Sequence, residues 1–144
     1  MNDQLPSTKD QAISNDQLVN DQKIGKSEKI YDLEDRTTMF AKRVIFLCKK
    51  LPRNSVNFEL TSQLVRSAGS VGANYREAND ALSKRDLYYR LKITRKETKE
   101  SSHWLDLILV ANPGLKSDID VLKIESFELK KIFSSIINKM RLLV

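Results

Sequence analysis

Five side chains share one kind of chemistry and one spacing. Arg85, Lys92, Lys96, Lys99 and His103 fall within about 60° of one another when the chain is stepped around a helix at ~100° per residue. Arg95 flanks them. A cationic ridge of more than four turns can run beside a phosphate backbone, each cation displacing a counterion. The plainer alternative is a solvated helix face, which is commonly rich in lysine. No carboxylate interrupts the five, and this favours contact with RNA or DNA. Tyr88 and Tyr89 stand at the start of the same stretch, where rings can stack on bases. For at least one of them, packing in the core or between subunits is the simpler reading.

Other residue sets carry less. Glu100-Ser101-Ser102-His103 has the Glu-x-x-His spacing of di-iron bundles, but that centre needs a second such motif and two further glutamates. The chain has one histidine and one cysteine, too few for a zinc site. No metal or other cofactor is therefore expected. Cys48 reads as a small core residue. Glu97 lies at the edge of the apolar face of its helix, where a carboxylate must be paired, hydrogen-bonded or protonated. Arg66, Ser70 and Asn74 are partners available one helix earlier. Together with Glu77 and Glu100 they are read as a polar network between helices that fixes register. No second catalytic group accompanies Glu97, so no enzyme is expected.

The elements that must position these residues are helices. Leu33, Phe40, Val44, Leu47, Cys48 and Leu51 repeat near 3.6 residues and stop at Pro52. Arg53 to Asn57 read as a connection, and a second helix is expected over 59–82. Its stripe is Leu60, Leu64, Ala68, Val71, Tyr75, Ala78 and Leu82. Ser83 with Asp86 has the pattern of a capping box and opens a third helix, which runs to about Val110. Its apolar side is Leu87, Leu91, Thr94, Thr98, Ser101, Leu105 and Ile108. Asn112-Pro113-Gly114 is a strong stop. The fourth helix starts near Asp118, with Leu122, Leu129, Phe133, Ile136, Met140 and Leu143 as its stripe. Short links between long helices imply an all-α, up-down-up-down antiparallel four-helix bundle over 31–144.

Residues 1–30 are different. They are polar, lack aromatics and repeat Asn-Asp-Gln at positions 2–4, 15–17 and 20–22. Such a segment cannot bury enough apolar surface to offset its ordering entropy, and it reads as a disordered arm. It holds 4 lysines and 5 acids, whereas 31–144 hold 21 basic and 14 acidic residues. The positive charge of this +6 chain, with its isoelectric point near 9.4, therefore belongs to the bundle. No apolar run approaches a membrane span, and the first ten residues lack the pattern of a signal peptide. One cysteine fits a reducing, cytoplasmic setting.

The segment from Leu64 to Ala78 places Gly69, Gly72 and Ala73 inside a helix, where each glycine costs about 1 kcal/mol relative to alanine. Close approach by another helix is the expected compensation. A phosphate-binding loop is excluded by the missing strand and the missing glycine spacing. This segment resembles the four-helix-bundle family that includes the proteins encoded by intervening sequences within bacterial 23S ribosomal RNA genes. The features that carry the resemblance are Gln63, Arg66, Ser67, Ala68, Ser70, Val71, Ala73, Asn74 and Glu77. It continues through Lys92, Ile93, Glu97, Glu100, Ser101, Trp104 and Leu105, and upstream through Leu33, Arg36, Phe40, Ala41 and the Leu51-Pro52 stop. It spans about residues 31–142. Ala78 departs from it, since many members have glycine there.

The resemblance implies the bundle and a ring-like homopentamer. Ile45, Leu107 and Leu109 exceed the needs of one core stripe and are expected at a subunit contact. The architecture is also similar to accessory proteins of diversity-generating retroelements, a likeness that implies a reverse transcriptase as partner. The leading expectation is a non-enzymatic, homo-oligomeric protein that binds RNA or DNA through basic helix faces. The alternative is a protein-protein interaction scaffold.

Overall fold

In the computed structural model, residues 32–144 are described; the arm expected over 1–30 lies outside them. Four α-helices make up most of the described residues: α1 (Leu33–Lys50), α2 (Ser55–Asn79), α3 (Lys84–Ala111) and α4 (Lys116–Met140). Single turns of 3-10 helix cover Pro113–Leu115 and Arg141–Leu143. Each helix packs on its neighbours in the order α1–α2–α3–α4, and α4 closes back on α1. No strand occurs among the described residues. This is the up-down-up-down bundle that the short links require.

The boundaries follow from local chemistry. Asp32 caps α1 by accepting from the Asp35 amide at 3.2 Å. Glu34 and Asp35 sit in its first turn and Lys49 and Lys50 in its last, the arrangement that the helix dipole favours. Leu51, just before Pro52, is extended (φ −71°, ψ 136°), as a residue preceding proline must tend to be. Asn54 accepts from the Asn57 amide at 2.8 Å, so α2 begins at Ser55 rather than near Glu59. The Asn54–Asn57 run, expected in a connection, is a helix start. At the other end the helix closes at Asp80, and Leu82 is fully exposed instead of continuing the stripe. Ser83 accepts from the Asp86 amide at 3.1 Å and opens α3 where the cap was expected.

The core is built from Phe40 and Val44 of α1, Leu64 and Val71 of α2, Leu91 and Leu105 of α3, and Leu129 and Phe133 of α4. Near the end of α4, Ile137 is buried and Ile136, expected in the stripe, is only partly covered; Leu143 is exposed, because the chain turns into a 3-10 helix after Met140. Of the three residues assigned to a subunit contact, Ile45 and Leu107 are exposed but Leu109 packs against the core.

Hydroxyls line the inner side of α3. Thr94, Thr98 and Ser101 are fully buried, and each donates to the carbonyl four residues back, at 2.9, 2.8 and 2.9 Å. This satisfies buried polar groups inside one helix. Small side chains there let α2 come close, and the Ser67 and Ser101 hydroxyls meet across the pair at 3.0 Å. The glycines divide. A Cβ on Gly72 would lie 3.2 Å from Thr37 Oγ1, so Gly72 is the close approach of α2 to α1. Gly69 has nothing within 4 Å and Ala73 is exposed, so neither serves a close approach.

Candidate nucleic-acid interface

Helix α3 carries its apolar and basic residues on opposite sides. The inner side is fixed by Leu91, Thr94, Thr98, Ser101, Leu105 and Ile108, all buried. This turns the basic stripe away from the bundle. Arg85, Lys92, Lys96, Lys99 and His103 are all exposed. Lys92, Lys96, Lys99 and His103 line one open groove of about 650 Å³, together with Arg95, Arg66, Glu100 and Trp104. Arg85 lies beyond the N-terminal end of that groove, on the same line.

Charge pairing occupies several cations outside this stripe. Arg36, Lys50, Arg76, Arg90, Lys116 and Lys123 each sit beside a carboxylate. Arg36 ties α1 to α4, 2.6 Å from Glu125. Among the described residues, Lys92, Lys96 and Lys99 have no carboxylate within ion-pair distance. Two cations of the stripe stand over rings instead: Lys92 Nζ lies 5.1 Å from the centre of Tyr88, and Arg85 lies 5.9 Å from the centre of Tyr89. Arg95 leans to the other side and donates weakly to Ser134 of α4 at 3.4 Å. The His103 ring meets Trp104 edge-on at 4.9 Å.

The groove's α2 wall is an ion-paired cluster. Arg66 donates to Glu100 at 2.9 Å and stands 3.6 Å from Glu97. The Glu97 side chain is only 13% exposed, so this guanidinium is the charge that compensates it. The network between α2 and α3 is therefore Arg66 with Glu97 and Glu100. The other expected members are not in it. Asn74 donates to the Ser70 carbonyl on its own helix at 2.8 Å, and Ser70 contributes only that backbone oxygen. Glu77 is exposed. A short amide reaches its own backbone more readily than a facing helix, whereas an arginine spans the gap.

Two contacts that fix register were not anticipated. One is the Ser67–Ser101 bond. The other joins Asn57, in the first turn of α2, to Asn112, the residue that ends α3. A buried asparagine in a helix's first turn is the signal that could have revealed the second. Glu100, the first residue of the Glu-x-x-His spacing, is held by Arg66. Among the described residues no group of three or more histidine, cysteine or acidic side chains could hold a metal. Burial pushes the Cys48 thiol up, opposed by a hydrogen bond from Thr61. None of the described helices is long and apolar enough to cross a membrane.

The chain is similar to known proteins over most of this bundle. The model of the 23S rRNA-intervening sequence protein family matches residues 29–135. A crystal structure from Bacteroides thetaiotaomicron, of a protein with unknown function from the S23 ribosomal protein family, shares 34% identity with a TM-score of 0.66. That match covers 72% of this chain and 96% of the other. No curated protein matches.

Proposed function

This chain belongs to the 23S rRNA-intervening sequence protein family, and from its geometry we propose a non-enzymatic protein that binds RNA or DNA through the outer face of α3. One observation supports this above the rest: Lys92, Lys96 and Lys99 are exposed, aligned along one face of α3 and unmatched by any carboxylate of the described residues, and they share one groove with Arg95 and His103. Counterions held by such a row are released when phosphates replace them, and that release drives binding. The setting is the cytoplasm, as the single cysteine suggested.

Self-association into a closed ring, which the family resemblance implies, would multiply these contacts by effective concentration. The exposed apolar side chains of Ile45, Ile124 and Phe127 support a subunit contact. Light scattering at micromolar concentration tests it, and a mass near 16.6 kDa would refute it. The same exposed apolar residues favour a second reading, a scaffold for another protein such as a reverse transcriptase.

The ridge is tested by replacing Lys92, Lys96 and Lys99 together with glutamine. Affinity should fall for every polynucleotide. The slope of log affinity against log salt should become shallower by roughly 0.7–0.9 for each phosphate that is no longer neutralised. Helical content should not change, since all three side chains face solvent. Unaltered affinity and slope would remove this face as the binding surface, and absence of polynucleotide binding by the unaltered protein at low salt would leave the scaffold reading.

A further inference from the structure

The outer stripe of α3 contains one aromatic residue in an otherwise basic series. Arg85, Tyr89, Lys92, Lys96, Lys99 and His103 follow one another at steps of 4, 3, 4, 3 and 4 residues. Tyr89 therefore fills the single position on this line that is not basic. It is 51% exposed, so the core does not account for it. It is nevertheless braced. Tyr88 meets it edge-on with ring centres 5.9 Å apart, and Tyr88 is itself packed against the core. The Arg85 guanidinium lies over the Tyr89 ring. An exposed ring held by a partly buried, core-packed ring and a cation over its face is a pre-organised platform, which loses little freedom when something stacks on it.

We infer that this stripe takes a single strand of nucleic acid, with one unpaired base stacked on Tyr89 and the flanking phosphates on Arg85 and Lys92. The inference rests on the phosphate-binding reading given above and names the form of its ligand. Two physical points select a single strand. First, a base offers its face to a tyrosine only when it is not already stacked within a helix, and such stacking tolerates any base. Second, the stripe is straight over about 27 Å at 1.5 Å per residue. Each strand of a duplex winds through most of a turn over that length, since one turn is about 34–36 Å. An extended strand can follow the stripe throughout. The ring does not distinguish a ribose from a deoxyribose, so RNA and DNA strands share the site.

The test uses the full chain with fluorescein-labelled oligouridylate and oligothymidylate, each about 20 nucleotides long, and an adenine–uracil RNA duplex of equal length. Binding is measured by anisotropy over a series of salt concentrations. Tyr89→Ala should weaken both single strands by roughly 5- to 150-fold, the range expected when one base loses its stacking ring. It should leave the salt slope unchanged, because no charge is removed. Tyr89→Phe should restore affinity, and duplex binding should be weaker at the outset and indifferent to Tyr89. If Tyr89→Ala binds single strands normally while the Lys92, Lys96 and Lys99 triple variant does not, the stacking inference fails and the ridge stands. If the duplex binds as tightly as the single strands, the single-strand inference fails. If the unaltered protein binds none of the three, both readings fall.

Discussion

Asn57 and Asn112 hold each other by a reciprocal pair of amide hydrogen bonds, 3.0 Å in one direction and 2.8 Å in the other. Each donates a second time to backbone, Asn57 to the Pro52 carbonyl and Asn112 to that of Ile108, both at 2.9 Å. The α1–α2 link, the start of α2 and the end of α3 are thereby tied at one buried point. Replacing either asparagine by alanine should cost about 1–3 kcal/mol, because the remaining amide is left buried without its partner. The double variant should cost less than the two singles combined. Urea denaturation followed by circular dichroism measures both, and simple additivity would show that the pair is not coupled.

The two glycines of α2 should respond oppositely to alanine. Gly69→Ala enters open space and should stabilise the helix by up to about 1 kcal/mol. Gly72→Ala brings a methyl to 3.2 Å from Thr37 Oγ1. That hydroxyl is buried and bonded to the Leu33 carbonyl at 2.7 Å, so it gives way at a cost. Gly72→Ala should therefore gain nothing or destabilise, and pairing it with Thr37→Ala should relieve the overlap. Equal stabilisation by both alanines would contradict the close approach of α1 and α2.

Arg66 should matter more than an exposed pair normally does. Surface ion pairs are worth about 0–1 kcal/mol, but Glu97 is mostly covered. Arg66→Ala should cost about 1–2 kcal/mol through the uncompensated carboxylate, and Glu97→Gln should recover part of that loss. Glu100→Gln alone should have little effect, since Glu100 is the more solvated partner. Melting temperatures of the four proteins decide it; a harmless Arg66→Ala would assign Glu97's compensation elsewhere.

Stability should decline in alkali. Burial pushes the Cys48 thiol above its ordinary 9.0, against an opposing hydrogen bond from Thr61. Burial likewise raises Tyr75 above 10.0, opposed by a hydrogen bond with Asn79 and reinforced by the charges of Glu34 and Asp32. The folded chain binds both protons more tightly than the unfolded chain. Their contribution is complete below the ordinary values and is lost as pH rises, first through the thiol and then through the phenol. In Cys48→Ala the decline should begin about one pH unit later. Denaturation midpoints between about pH 8 and 11 provide the measurement.

The sequence made the helices and the basic stripe legible, because both depend on periodicity alone. Ser83, Pro52 and the Asn112-Pro113-Gly114 stop mark real boundaries. The α2 start was obscured because Asn54, Ser55 and Asn57 are turn formers as well as capping residues, and only the Asn112 partner, 55 positions away, decides between the two roles. Glu97 was recognisable as needing a partner. Which of Arg66, Ser70 and Asn74 supplies it depends on side-chain reach across the α2–α3 gap, which spacing along one helix does not encode. The same holds for Gly69 and Gly72, alike in sequence and opposite in surroundings.

The unmatched lysines also tax the helix that carries them. Lys92, Lys96 and Lys99 stand three and four residues apart, and like charges at that spacing oppose helix formation by about 0.2–0.5 kcal/mol for each pair. The empty protein thus holds a small self-repulsion that either salt or a polyanion can quench. Added salt should raise the melting temperature of the unliganded chain while loosening its grip on any strand. The thermal gain from adding a polyanion should accordingly shrink from both directions as ionic strength increases.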